Sequence, residues 1–367
     1  MALDGQTAGE TGGDVAPRVT LQTIADQVGV SRMTVSNAFS KPDQLSAALR
    51  SRILAAAEEL GYVGPDPAAR ALAKGTTGTI GIVLTSSLNY AFTDLVATSF
   101  LGAIAEQLAP TGLAITLLTS SDSGAIIPAR DVAMDGALIY SCDPTSSVVD
   151  VLTRRRLPLV YVDQDPVAHI SSINVDDRNG GRTAAQHLLD LGHRHIGLLL
   201  SGLHGPHGVV DPSAIKLDGH ASRERLLGWQ DALRPAGITP LAVRQDGTGL
   251  EPARHAARLL LDRPDRPTAI LCFSDVVAYG VLQVATDLRI RVPQDLSVVG
   301  FDDNPLAVQI QPALTTVRQD VAAKGRAAAA TLTAAIAQTR TSGEITPQHI
   351  VLPTELLVRD TTAAPRV

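Results

Sequence analysis

Three aspartates in this 367-residue chain each follow a run of β-type apolar residues: Asp163 after LPLVYV, Asp275 after AILCFS and Asp302 after LSVVGF. Ligands of open α/β sheets bind outside the carboxyl ends of the strands, so acids placed there aim acceptors at one cleft. Arg223 starts a helix after another such run, and Tyr90 and Phe92 come after the first strand. Carboxylates accept from hydroxyls, a guanidinium fork donates, and aromatic faces add a wall. Such a set suits a polyhydroxylated ligand. Plainer readings exist for some of these residues: turn and cap chemistry for Asp302 and Asp303, and a helix N-cap for Asp275.

A second group lies in GVSRMTVSNAFS, residues 29–40. Thr20 can cap a helix from Leu21 to Val28, whose Leu21, Ile24, Ala25 and Val28 keep helical spacing. Gly29 ends it, and Ser31 can cap a second helix from Arg32 to about Phe39, with Val35, Ala38 and Phe39 inward. A third helix starts at Ser46 and runs through Leu60, with Gly61 as its stop. Two short helices joined at a glycine, with a supporting third, form a helix-turn-helix arrangement. Arg32, Met33, Ser36 and Asn37 then share the outer face, and the helix start capped by Ser31 offers backbone N–H groups to a phosphate. The alternative is a three-helix satellite domain whose polar face is merely solvated. In PDPAARALAKG, residues 65–75, Asp66 caps, Pro67 takes the first helical position and Gly75 stops. About two turns of helix are marginal alone, so this segment is expected to order against a partner or on DNA.

From Ile80 onward, IGIVL, AITLL, GALIY, LPLVYV, HIGLLL, TAILCF and LSVVGF read as strands. Helices are expected over about 94–109, 179–191, 223–234, 252–262, 275–288 and 320–338. Strands buried on both faces and separated by helices mean a doubly wound α/β architecture, and roughly 290 residues of it form two lobes. Cys142 and Cys272 sit in apolar runs and read as reduced core thiols. A net charge of −6 argues against a broadly basic surface but leaves room for a local nucleic-acid site. No stretch reaches transmembrane length, and residues 1–18 hold no apolar run, so they read as a disordered tail and the protein as cytoplasmic. The GTG at 247–249 lacks the third glycine of a dinucleotide loop, and neither a P-loop nor G-x-S-x-G occurs, so no cofactor and no enzymatic activity are expected. The long connection with His204, His207, Asp211, Asp218 and His220 contains half a metal motif at most. It reads as a loop or lid, with no metal.

VTLQTIADQVGVSRMTVSNAFS, the following ELGY and PDPAARALAKG resemble the LacI/GalR family of bacterial repressors. LGHRHIGLL, RERLLGW, SVVGFDDNPLA and PALTTVRQD extend the resemblance over nearly the whole chain. It implies an N-terminal all-α helix-turn-helix domain plus an α/β periplasmic-binding-protein-like core of two doubly wound, interleaved lobes. The domains would be a tail at 1–18, a DNA-binding domain at 19–63, a hinge helix at 64–76 and an effector-binding and dimerisation domain at 77–367. The implied DNA-binding residues are Thr20, Ser31, Arg32, Met33, Thr34, Ser36, Asn37, Ala69, Arg70 and Leu72, with Leu72 wedging into the minor groove of a palindromic operator. Tyr90, Phe92, Tyr140, Asp163, Arg223, Ser274, Asp275, Asp302 and Gln319 fall on effector-pocket positions. Ser274 and Ser40 depart from residues usual in the family. The implied function is a homodimeric repressor answering to a small effector, a sugar first and a purine or nucleoside second. A solute-binding protein would share the lobes but is disfavoured by the N-terminal helices and the missing signal peptide. An α/β enzyme using the cleft acids would turn over the bound sugar, which a product assay would show.

Overall fold

The computed structural model describes residues 19–64, 66–84, 88–119, 127–141, 146–202, 206–213, 217 and 219–366. The N-terminal tail, Cys142, His204 and Asp218 lie outside the described residues, as does the side chain of Tyr90. The chain divides into two units, one ending at Thr77 and the other starting at Gly78.

In the first unit, α1 (Leu21–Val28) and α2 (Arg32–Ser40) are joined by a left-handed Gly29 at φ 75°. The Gly29 and Val30 amides both donate to the Ala25 carbonyl, closing the turn. The Ser46-capped α3 (Ala47–Glu59) packs beneath them. Ile24, Ala25, Val35, Ala38, Ile53, Ala56 and Ala57 form the small core, the face expected from their spacing. Arg50 Nε donates to the Ala38 carbonyl and Arg52 to the Val28 carbonyl, so α3 also steadies the ends of both shorter helices. The fourth helix, α4 (Pro67–Lys74), lies between an Asp66 N-cap and a left-handed Gly75.

The second unit runs through two lobes. The first is laid down as β1 (Thr79–Leu84), α5 (Leu88–Thr93), α6 (Leu95–Leu108), β2 (Ala114–Thr119), α7 (Pro128–Asp131), β3 (Gly136–Tyr140), α8 (Ser147–Arg154), β4 (Leu159–Val162) and β5 (Ser171–Val175). After a crossover the second follows as α9 (Asp177–Asp190), β6 (Ile196–Leu200), β7 (Gly208–Val210), α10 (His220–Leu233), β8 (Leu241–Arg244), α11 (Leu250–Leu261), β9 (Ala269–Cys272), α12 (Asp275–Asp287), β10 (Ser297–Asp302), α13 (Leu306–Gln309) and β11 (Thr315–Gln319). The chain then returns to the first lobe through α14 (Val321–Thr341) and β12 (His349–Leu352), and crosses back to β13 (Thr354–Leu357). The expected return of the 320–338 helix to the first lobe is therefore found.

The first sheet has the order β12-β5-β4-β3-β1-β2 and is parallel throughout. The second has the order β13-β11-β10-β9-β6-β8-β7, with only β13 and β7 antiparallel to their neighbours. Each is doubly wound, and the strand order reverses between β1 and β3 in one and between β6 and β9 in the other. Among the described residues no helix is long and apolar enough to cross a membrane.

Candidate functional site

The exposed face of α2 is built by its start. Ser31 Oγ accepts from the Thr34 amide at 3.1 Å and contacts Thr34 Oγ1 at 2.8 Å, which fixes the first turn. Val35 and Ala38 turn inward, and this leaves Arg32 and Met33 exposed, Met33 by 69%. Ser36 and Asn37 are half-buried, and the Asn37 amide donates to Gln44 Oε1 at 3.2 Å. Thr20 closes a capping box with Thr23 at the start of α1. On α4, Asp66 Oδ1 accepts from the Ala68 and Ala69 amides, while Ala69, Arg70 and Ala73 are exposed and Leu72 is 88% exposed. A two-turn helix with an uncovered leucine lacks the packing that stabilises most short helices.

The cleft side of the lobes holds a relay of buried charged and amide groups. Asp163, just past β4, and Asp302, at the end of β10, both have positive φ, 52° and 116°. That conformation is strained for a residue with a Cβ and is concentrated at functional sites. Lys324, in the first turn of α14, donates to Asp163 Oδ2 at 2.7 Å and to Gln319 Oε1 at 2.9 Å. Gln319 Nε2 donates to Asp302 Oδ1 at 2.7 Å. Arg225 Nη1 lies 3.4 Å from the same Asp302 oxygen, and its Nε donates to Asp177 Oδ1 at 2.8 Å. The guanidinium of Arg225 stacks 3.6 Å from the Phe301 ring centroid and donates to the Phe273 carbonyl at 2.6 Å. Asp177 follows the first crossover, and Gln319 and Lys324 flank the second, so the relay runs from one lobe to the other where the chain passes between them.

Burial raises the Asp302 carboxyl to about 6, although Arg225 and Gln319 pull it down. Burial, and then Asp302 beside it, push the Asp275 carboxyl well above the carboxylate range. Asp275 is wholly buried, with Oδ2 accepting from the Asn304 amide and Oδ1 bonded to Thr316 Oγ1. Next to it, a cleft of about 420 Å³ is lined by Leu95 and Val96 of α6 and by Asp302, Asn304, Arg318 and Gln319 of the other lobe. The Asn304 Nδ2 amide is buried without a partner among the described residues.

The structure thus brings together Asp163, Asp302, Gln319 and Asp275, with the Tyr140 ring 5.9 Å from Lys324 Nζ. The N-cap of α12 is Ser274, whose Oγ accepts from the Val277 amide, and Asp275 is the first helical residue instead of the cap. Phe92 lies in α5 and is 63% exposed. Arg223 stands apart from the relay, paired with Asp165 and beside His220. The guanidinium among the strand ends belongs to Arg225. Sequence reasoning missed Arg225, Lys324 and Asp177, and for two of them the sequence holds only a positional hint. Arg225 precedes the buried Trp229 by four residues, and Lys324 precedes the buried Ala328 by four, so each lies on the inward stripe of its helix. In the long connection, Gly208–Val210 forms β7, His207 Nδ1 lies 3.7 Å from Asp246, and His220 opens α10.

A helix-turn-helix with an exposed face on its second helix, a short uncovered helix after it and two lobes with a polar cleft define a ligand-responsive DNA-binding transcriptional regulator. The chain belongs to the LacI family: residues 20–64 match the bacterial regulatory proteins of the lacI family, and residues 185–362 match a periplasmic binding protein-like domain. An HTH-type transcriptional regulator of Mycolicibacterium smegmatis is 37% identical over 85% of this chain and 89% of its own length. The lac repressor dimer bound to operator and the anti-inducer ONPF superposes with a TM-score of 0.77 at 27% identity, covering 94% of this chain and 99% of that one. The CelR–cellobiose complex gives 0.65 at 27% identity, covering 94% and 100%.

Proposed function

We propose that this regulator is a homodimeric repressor of a two-fold symmetric operator, released or tightened by a neutral sugar held between its lobes. The observation that carries the sugar reading is the set of buried acids and amides at the strand ends, acceptors and donors suited to hydroxyl groups. Asp163, Asp302, Gln319 and Arg225 would contact the ligand. Tyr90, Phe92, Tyr140, Ser274 and Asp275 would shape the cleft, and Arg223 would stand at its rim. The cellobiose in CelR is consistent with this chemistry.

One recognition helix reads only a few base pairs, so two-fold pairing is needed for useful specificity. Arg32 and Asn37 would read base edges, Met33 would make an apolar contact, and Thr20, Ser31, Thr34 and Ser36 would position the helix on phosphates. In α4, Ala69 and Ala73 are small enough for two copies to approach, Arg70 would meet phosphate, and Leu72 would pack on its mate and wedge between base steps. The site binds and does not catalyse, and its DNA partner sets its location in the cytoplasm.

Fluorescence anisotropy on an operator selected from a random pool tests the DNA half of this reading. Arg32→Ala should weaken operator binding by about 1–3 kcal/mol and relax preference at one position, leaving random DNA nearly unaffected. An equal loss on random DNA would show that Arg32 reads no base.

A further inference from the structure

Lys324 is the cation at the centre of the relay, 1% exposed and bonded to one residue on each side of the second crossover. An ammonium has three donors, and two are engaged, by Asp163 Oδ2 and Gln319 Oε1. Among the described residues no oxygen or nitrogen accepts the third, and the Tyr140 ring lies 5.9 Å from Nζ. The carboxylate it holds is open too, since Asp163 Oδ1 is buried and has no partner among the described residues. One ion pair of 2.7 Å at the carboxyl end of β4 therefore holds both an uncommitted donor and a buried acceptor without a partner.

We propose that Lys324 is a specificity-determining residue of the effector cleft, its open N–H and Asp163 Oδ1 taking the two members of a vicinal diol. Lys324 donates to one hydroxyl oxygen, and Asp163 accepts from the hydroxyl next to it. Adjacent hydroxyls on a sugar or cyclic polyol lie about as far apart as neighbouring atoms of an ion pair, and a single hydroxyl fills only half of the site. Buried polar groups without partners carry a desolvation penalty that a matching ligand removes and a deoxy analogue does not. The strained backbone at Asp163, φ 52°, fits a side chain held for a purpose other than folding. The inference rests on the sugar reading and narrows it to neutral ligands with a vicinal diol. The Gln319 link adds that the diol is sensed at the junction between the lobes.

The test uses the full-length protein and calorimetry. Cellobiose, hexoses, pentoses, cyclic polyols and nucleosides are titrated first, then the monodeoxy counterparts of the strongest polyol. Wild type should prefer the parent over one monodeoxy analogue by roughly 10–100-fold. Lys324→Met should weaken the parent by a similar factor and bind parent and analogue alike, with effector-free operator affinity retained. Lys324→Met leaves Asp163 buried beside an apolar chain, so Lys324→Met/Asp163→Asn, which removes both charges, is measured beside it and should show the same loss of selectivity. A polyol that both variants still distinguish from its deoxy form as wild type does would overturn the role of Lys324 while leaving the sugar reading intact. Binding of nucleosides and of their 2′,3′-dideoxy counterparts alike, with no polyol bound by wild type, would overturn the sugar reading and this inference with it.

Discussion

Asp302 is the side chain whose charge state matters most in the cleft. Burial raises its carboxyl from 3.8 to about 6, against the pull of Arg225 and Gln319. A carboxyl raised in the folded state binds its proton more tightly there than in the unfolded chain. Its contribution to stability is therefore present at low pH and is lost as pH rises from about 4 through about 6, by on the order of 3 kcal/mol. Asp302→Asn keeps the shape and removes the titration. Urea unfolding between pH 4 and 8 should show the variant gaining on wild type as pH rises, and a flat or opposite difference would mean that Asp302 ionises normally. At this scale Asp163, Asp275 and Asp302 were legible, because each follows an apolar strand run. Arg225 and Lys324 were not, because long cations are expected on the solvent side of a helix. Their positions on the buried stripe outweigh that expectation only once the acids that neutralise them are known to converge there.

Among the elements, the seven strands recognised from sequence are continuous apolar runs, and parallel sheets covered on both faces demand such runs. β5 was missed for an opposite reason. Its Ser171, Ser172 and Asn174 are buried polar groups met outside the strand: Ser171 Oγ accepts from the Gln348 amide at 3.0 Å, Ser172 Oγ pairs with His349 Nδ1 at 2.9 Å, and Asn174 Nδ2 donates to the Gln164 carbonyl, ten residues back, at 2.8 Å. No local pattern reveals a strand whose polarity is met by chain 177 residues away. The two helices that present Arg225 and Asp177 show how close packing serves the site. A Cβ at Gly228 of α10 would collide with the Arg178 carbonyl and lie 2.8 Å from the Arg182 amide, and one at Gly181 of α9 would lie 2.7 Å from the Arg225 carbonyl. Gly228→Ala should therefore cost about 1–3 kcal/mol by forcing α9 and α10 apart, and it should also loosen the Arg225–Asp177 bond one turn away. Loss of effector binding together with a lowered melting temperature is the expected result. Unchanged melting would show that the helices separate freely.

For the molecule as a whole, the two lobes meet in a second place besides the relay. Asp165, in the β4–β5 connection of the first lobe, accepts from Arg223 in the first turn of α10, and His220 Nδ1 lies 2.8 Å from the same oxygen. This pair spans the lobes and is partly exposed, Arg223 by 35% and Asp165 by 60%. An exposed ion pair is worth about 0–1 kcal/mol, so it can bias closure by no more than roughly fivefold. Two roles for Arg223 follow, and they differ in size. If it clasps the lobes around a ligand, Arg223→Asp should weaken effector binding by about 2–5-fold, and the exchanged pair Arg223→Asp/Asp165→Arg should restore it. If it instead donates directly to the effector, the single variant should lose far more, and the exchange should recover nothing. The geometry favours the clasp, because the guanidinium is already engaged by Asp165 and lies outside the buried relay. Titrating both variants with the same polyol, with operator affinity measured without effector as the control for folding, separates the two roles. A loss well beyond fivefold with no recovery on exchange would return Arg223 to the binding site.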